Sequence, residues 1–382
     1  MSRGPFLFVE SYPQVIAGQQ RTLLALLDAA GGLDRRCVTV VPGEGPMPAR
    51  LRELGHEVVV WPQPALLDRY GGAVYRDSVL TRLKVLWQVF SYVVRLWREL
   101  GRLRPTAIYC NDMRGLLTVG IAAGLRRIPV MTWDKLDKPH GLLDWFQLPL
   151  VTLNLVISRA VTVKYPAWQR RLFRRRIRVV PNGVDIEAID GAQAADLGLP
   201  ADDNKGLLVG MVGTVTPRKG QDRLLAVWPR LLEVCPDARL VLVGAPESDE
   251  DRQWAEGLPN RDHPSVTWLG HRDDVPAVMH ALDLLVVPSR HEGMGRVCAE
   301  AMAAGTTVLG ARTGGIPEVV AENETGLLFE PEDAEDLSAK LQRLCIDAGL
   351  RRRLGDAGRL RAKEHFDQRK QHRMVLALLR DI

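Results

Sequence analysis

The chain has 382 residues, 46% hydrophobic and 25% charged, with a formal net charge of +5. At about 150 residues per domain this predicts two or three soluble globular domains with sizeable cores, and it excludes a disordered or collagenous chain. The five scattered cysteines contain no Cys-x-x-Cys pair and predict neither a zinc site nor a disulfide framework, and they fit a reducing cytosol.

The start, MSRGPFLFVES, runs straight into a strand-like segment with no long apolar leader region. Pro5–Val9 reads as a buried strand, and Gln20–Ala30 as an apolar-periodic helix. Gly18, just before that helix, would let the backbone approach a ligand, although a plain loop glycine is as good a reading. Val38–Val41 and Glu57–Trp61 read as strands, with a helix near Met47–Leu54 between them. Strands alternating with helices predict a parallel sheet covered on both faces. A long amphipathic helix is expected over about Ser78–Gly101. Its apolar stripe and basic flank suit either packing on the sheet or an anionic membrane surface. The strand Ala107–Cys110 ends in Asn111, Asp112 and Arg114, and Pro129–Trp133 ends in Asp134. Ligands sit beyond the carboxyl ends of such strands. Asn111, Asp112 and Asp134 are therefore candidates for ligand contact, and Asp112 could equally cap the next helix.

Leu142–Leu150 reads as helical or irregular and Leu155–Ser158 as strand; the longest uncharged stretch, Trp145–Ser158, is shorter than the roughly 20 residues a bilayer span needs. A basic segment follows, from Arg159 through Lys164 and the Arg170–Arg178 cluster. It is either solvated charge or a face for anionic lipid or a phosphorylated ligand. Nucleic acid is not expected, because no aromatic-rich RNA-binding signature accompanies the charge.

Ile186–Lys205 is polar and reads as a linker into a second domain. That domain opens with the strand Gly206–Val212 and the loop GTVTPRKGQDRLL. Gly213 and Thr214 lie in that loop. Arg218 and Lys219 stand at the start of a helix over about Asp222–Val234, suited to a diphosphate. Strands Arg239–Val243, Ser265–Leu269 and Leu284–Val287 follow, with a helix at Val275–Ala281 before the last. After Leu284–Val287 comes PSRHEGMGRVCAEAMAA: a glycine turn (Gly293, Met294, Gly295) into a helix starting near Gly295. The unpaired first amides, near Gly295–Val297 and including Arg296, and the helix dipole make an anion site. Glu300 lies about five residues into that helix, roughly 7 Å along its axis, the span from a diphosphate to its ribose. Glu292 faces the other end, where a sugar would hang. Thr306–Gly310 and Thr325–Phe329 read as strands, with the glycine turn TGGIPE between them and helix from Asp333 onward.

Glu292-Gly-Met-Gly followed by Glu300, with seven residues between the glutamates, resembles the signature of retaining glycosyltransferases of family 4, which have the GT-B fold. The resemblance covers nearly the whole chain. It implies an α/β protein of two doubly wound Rossmann-like domains facing a central cleft, with a C-terminal helix crossing back to the first. The domains are expected at 1–185 and 206–366, with a linker at 186–205 and the closing helix at 367–382. The family's glycine pair near the donor is Ala17-Gly18 here. The histidines common after the fourth and fifth strands are replaced by Asn111 and Asp134, which with Asp112 would lie on the acceptor side. NGVD at residues 182–185 resembles the family's domain junction, and Gly270-His271 its base-contacting loop.

The implied activity is transfer of a hexosyl unit from a UDP- or GDP-sugar to a glycan, lipid-linked or other hydroxyl acceptor, with retention. Arg218, Lys219 and Glu292 would be catalytic. The donor would be held by them and by Gly18, Gly213, Thr214, His271, Gly293, Met294, Gly295, Arg296, Val297 and Glu300. No carboxylate cluster calls for a metal, and no cofactor is expected beyond the sugar nucleotide. The protein would be cytoplasmic, with its basic first domain a possible contact to the inner membrane face. A nucleotide-sugar epimerase, a phosphorylase-like enzyme with a pyridoxal lysine, and a silent sugar-nucleotide binder are the rival readings.

Overall fold

The computed structural model describes residues 4–64, 79–136, 139, 141–199 and 206–382. The chain divides into two compact units: one runs up to Val180 and takes in His372–Ile382, and the other is Pro181–Gln371.

The first unit contains strands β1 (Phe6–Val9), β2 (Cys37–Val41), β3 (Glu57–Val60), β4 (Ala107–Cys110), β5 (Val130–Asp134), β6 (Leu153–Val156) and β7 (Ile177–Val179). Its helices are α1 (Gly18–Ala30), α2 (Pro46–Glu53), α3 (Val79–Leu103), α4 (Met113–Leu125), α5 (Asp144–Leu150) and α6 (Ala167–Leu172). The strands form one parallel sheet in the order β3-β2-β1-β4-β5-β6-β7. Runs such as FLFV and AIYC have no polar side because both faces of the sheet are covered. The core joins Leu7, Val9, Val38 and Ile108 to Leu96 and Leu100 of α3 and to Leu116 and Val119 of α4.

Strand β6 begins two residues before the expected Leu155. Asn154 disguises it: the side chain is fully buried and bonded to Thr132, Gln147 and the Tyr165 hydroxyl. A satisfied polar group inside a strand breaks the apolar run that marks strands in sequence. The long helix is α3, and the expected start at Ser78 lies outside the described residues.

The second unit opens with α7 (Ile186–Asp190), inside the stretch expected as a linker. Asp185 caps α7 through Ala188 N at 3.0 Å. Asp190 pairs with Arg359 at 2.6 Å and Lys363 at 2.7 Å, so this stretch is anchored to its own unit. Residues 200–205 of the expected linker lie outside the described residues. Then come β8 (Leu208–Val212), α8 (Gln221–Leu232), β9 (Arg239–Val243), α9 (Asp249–Glu256), β10 (Val266–Gly270), α10 (Val275–Ala281) and β11 (Leu284–Val287). They are followed by α11 (Arg296–Ala304), β12 (Thr307–Ala311), α12 (Ile316–Val319), β13 (Leu327–Phe329), α13 (Ala334–Ile346) and α14 (Ala348–His365). The parallel order is β10-β9-β8-β11-β12-β13. Its core centres on Trp228, fully buried, whose Nε1 donates to Ser265 Oγ at 2.8 Å. The last helix, α15 (Gln368–Asp381), belongs to the first unit from His372 onward.

One expectation is corrected. Cys235 and Cys345 form a disulfide with a Cα–Cα separation of 6.8 Å, across 110 residues of sequence. They meet because α8 packs on α13, a tertiary pairing that cysteine spacing does not reveal. Cys37, Cys110 and Cys298 are free thiols.

Candidate functional site

In the second unit the strand order reverses between β8 and β11. One chain direction leaves this point through β9 and the other through β12. Loops that leave adjacent strands in opposite directions open a crevice at their carboxyl ends. The β8–α8 loop carries Gly213, Thr214, Arg218 and Lys219, and the β11–α11 loop carries Glu292 to Gly295. The two predicted cations and the predicted carboxylate meet there. Lys219 Nζ pairs with Glu292 Oε1, Arg218 Nη1 lies 3.7 Å from the same oxygen, and Ser289 Oγ donates to it at 3.2 Å. All three contacts fall on Oε1. The Lys219 stem runs past Gly213, where an added Cβ would sit 3.4 Å from Lys219 Cε.

Arg218 and Lys219 occupy the turn before α8, not its first helical turn. Lys219 N donates to Thr216 O at 3.0 Å, and left-handed Gly220 (φ 83°) then starts the helix. The first turn of α8 carries Asp222 instead, which suits the helix dipole. Gly295 is also left-handed (φ 81°) and gives α11 no side-chain cap. The first amides of α11 are therefore open to an anion. Glu300 stands on α11 with Arg296 Nε 2.9 Å from its Oε1. Burial raises its pKa, against the pull of Arg296 and Lys219. The buried Thr214 Oγ1 in this loop has no hydrogen-bond partner among the described residues.

Two devices hold these loops: Arg290, which sequence reasoning did not single out, and the predicted TGGIPE turn. Arg290 N donates to Arg218 O at 2.8 Å, its guanidinium reaches Pro217 O at 2.6 Å, and it forks onto Asp222. The β8 and β11 loops are thereby tied together beside the cations. The TGGIPE turn lies behind them. Gly315 N donates to Glu292 O at 2.9 Å, and a Cβ at Gly315 would fall 2.4 Å from Gly293 O. His271 follows the edge strand β10, is exposed, and faces Asp273 at 3.3 Å; β9 separates its strand from β8.

The first unit has its own reversal, between β1 and β4. Gly18 opens α1, where an added Cβ would meet open space. Asp112 caps α4 through Gly115 N at 2.7 Å and also accepts from Ser11 N at 3.0 Å. Asn111 is buried: its Nδ2 donates to Glu10 Oε2 at 2.6 Å, and its Oδ1 accepts from Lys135 Nζ at 3.3 Å. Glu10, with no exposure, accepts also from Tyr12 N and Gln20 Nε2. Burial, then the nearby Asp112 charge, raises Glu10 to about 7. Burial lowers Lys135 to about 7, against Glu10 and Asp112. Asp134 forms a buried ion pair with Lys164 at 2.7 Å and also receives Gln147 Nε2 and the Tyr165 hydroxyl. Gln19, Asn111, Asp134, Lys135 and Gln147 line a small cavity at this strand end. His372 of α15 stacks edge-on to Trp133 at 6.2 Å and is lowered to about 4 by burial and by Lys135. Among the described residues no group of three or more His, Cys, Asp or Glu side chains could hold a metal ion.

HepE of Anabaena, solved in complex with UDP and glucose, matches all of this chain and all of its own with a TM-score of 0.72 at 20% identity. The two doubly wound units and this neighbour define the GT-B fold. The model for Glycosyltransferase Family 4 matches residues 49–188, and that for Glycosyl transferases group 1 matches residues 199–361. A D-inositol 3-phosphate glycosyltransferase of Stackebrandtia nassauensis is 35% identical over 47% of this chain. Sulfoquinovosyl transferase SQD2 of Arabidopsis thaliana is 30% identical over 84% of it. The matches span 43% and 66% of those relatives' own lengths. The chain belongs to glycosyltransferase family 4.

Proposed function

We propose that this glycosyltransferase moves a hexosyl unit from a nucleotide diphosphate sugar to a hydroxyl of a glycan or lipid-linked acceptor, with retention at the anomeric carbon. The observation that carries this reading is the convergence of Arg218, Lys219 and Glu292 beside the open N-terminus of α11, with Glu300 farther along that helix. The anomeric C–O bond to the diphosphate breaks with its electron pair going to the phosphate oxygen. The acceptor hydroxyl forms the new C–O bond on the same face, and its proton passes to the departing diphosphate. Arg218, Lys219 and the α11 amides meet the charge that develops on the leaving group. Glu292 Oε2 receives sugar hydroxyls, while Oε1 stays with Lys219. Glu300 receives ribose hydroxyls. The acceptor is held by the Asn111–Lys135 cavity of the first unit. No metal takes part, and the basic first unit works at an anionic membrane surface.

The test is a thermal-shift panel of UDP-, GDP- and ADP-sugars with Glu300→Ala as control. A ligand bound only to the folded state at a hundredfold excess over Kd adds about 2.7 kcal/mol of stability. One base should give a shift that the variant loses; no shift with any of them would sink the reading. Transfer should persist in EDTA, and the anomeric proton of the product by NMR should show the donor's configuration. Donor incubated alone should give no epimer, which separates transfer from epimerisation.

A further inference from the structure

The cover of one face of the first unit is unusual for a monomer surface. Crossovers between neighbouring parallel strands are right-handed, so the helices linking β3 to β4, β4 to β5, and β5 to β6 lie on the same side of the sheet. They are α3, α4 and α5, each packed on the next, and α6 follows between β6 and β7. The solvent side of this layer carries large aromatics: Trp87 (68% exposed) and Phe90 (59%) on α3, Trp145 and Phe146 on α5, and Trp168 (54%) on α6. Trp145 and Trp168 join the two short helices, ring to ring at 6.3 Å. Trp97 is also exposed, with the Arg126 guanidinium 4.0 Å over its ring. Monomeric proteins rarely leave such aromatics together in water.

The charge of the chain segment that holds this layer is one-sided. Residues 79–184 hold nineteen Lys and Arg against five Asp and Glu, and there is no acidic residue from Trp145 to Val184. Of the five acids, Asp112 caps a helix, Asp134 is paired with Lys164, and Asp144 is buried. Arg171, Arg174 and Arg175 are exposed beside Trp168.

We propose that the α3–α6 layer of the first unit is a docking face for an anionic lipid bilayer, with the tryptophans seated at the headgroup level and the arginines on lipid phosphates. Amphipathic aromatic rings prefer the membrane interface, and arginine stems stretch along apolar surface while their heads reach phosphate. The partner is not a second copy of this chain, because two such faces repel each other at contact. The inference rests on the membrane placement proposed above and not on the transfer chemistry. It names the surface; no helix among the described residues is long and apolar enough to cross a membrane.

The test is flotation of the full chain with phosphatidylcholine vesicles, with and without about 30% phosphatidylserine, at about 0.1 M salt, where surface charges still act over about 10 Å. Partition onto the anionic vesicles should exceed that onto neutral ones at least about tenfold. Trp145→Ser with Trp168→Ser, and separately Arg171→Glu with Arg174→Glu and Arg175→Glu, should each lower it by about tenfold or more. Bromine-labelled lipid should quench tryptophan fluorescence of the unaltered chain, which needs no variant to fold. Absent binding, equal binding by both variants, or absent quenching would overturn the proposal. So would an RNA oligonucleotide that outcompetes the vesicles for the same residues. The nucleotide-sugar thermal shift, run on the same samples, reports the transfer reading separately: failure in one assay with success in the other identifies which statement is wrong.

Discussion

Lys219 and Glu292 stand 73 positions apart and share one close contact at a switch point. Lys219 is the side chain on which the proposed leaving-group stabilisation depends most. Preorganised charge of this kind is worth about 3–4 kcal/mol, so Lys219→Ala should lower turnover by about two to three orders of magnitude with an unchanged circular dichroism spectrum. Near-normal turnover would remove Lys219 from the mechanism. Lys135 supports a second residue-scale test. Burial holds its folded pKa near 7, below the roughly 10.4 of an unfolded lysine. Between those values the unfolded chain binds more protons, so this group adds stability as pH rises from about 7 to 10. Lys135→Met should remove that rise from the unfolding midpoint against pH. A profile parallel to the unaltered chain would show that Lys135 titrates normally.

At the scale of elements, the site is a matter of loops bracing loops. Gly315 has an ordinary φ of −88°, so its role is space rather than backbone freedom. Any side chain there meets the Gly293 carbonyl and must push the Glu292–Gly295 turn out of place. Gly315→Ala should therefore weaken nucleotide-sugar binding about tenfold or more, because small displacements of a positioned group cost that much. Global unfolding should move far less. An unchanged Kd by calorimetry would show that the turn adapts. The capping of α4 by Asp112 belongs to this scale too. The carboxylate at that strand end holds a helix N-terminus, which was one of its two readings from sequence.

At the scale of the molecule, each unit has its own core, and each places its polar cluster where its strand order reverses. The charge is also divided. The net +5 of the chain conceals the fourteen-charge excess of residues 79–184, so the remainder is acidic. Long-range attraction to anionic surfaces follows this local field rather than the sum. Strand–helix alternation made both sheets legible, since buried parallel strands are short apolar runs whatever their neighbours. It failed at β6 and at α7, where a buried asparagine and a polar short helix carry no such mark.

The sequence by itself determined the class of fold, the glycine turn at Gly293–Gly295, and the candidates Arg218, Lys219, Glu292 and Glu300, because turn chemistry, helix starts and charge spacing are local. Tertiary structure alone decided that Arg290 and Gly315 brace that turn, that Glu10 orients Asn111 toward Lys135, and that Cys235 meets Cys345. It also decided that the aromatics of α3, α5 and α6 share one outer layer. These partners are tens of residues apart in the chain. What joins them is strand order and crossover hand, which act only after the sheet has formed.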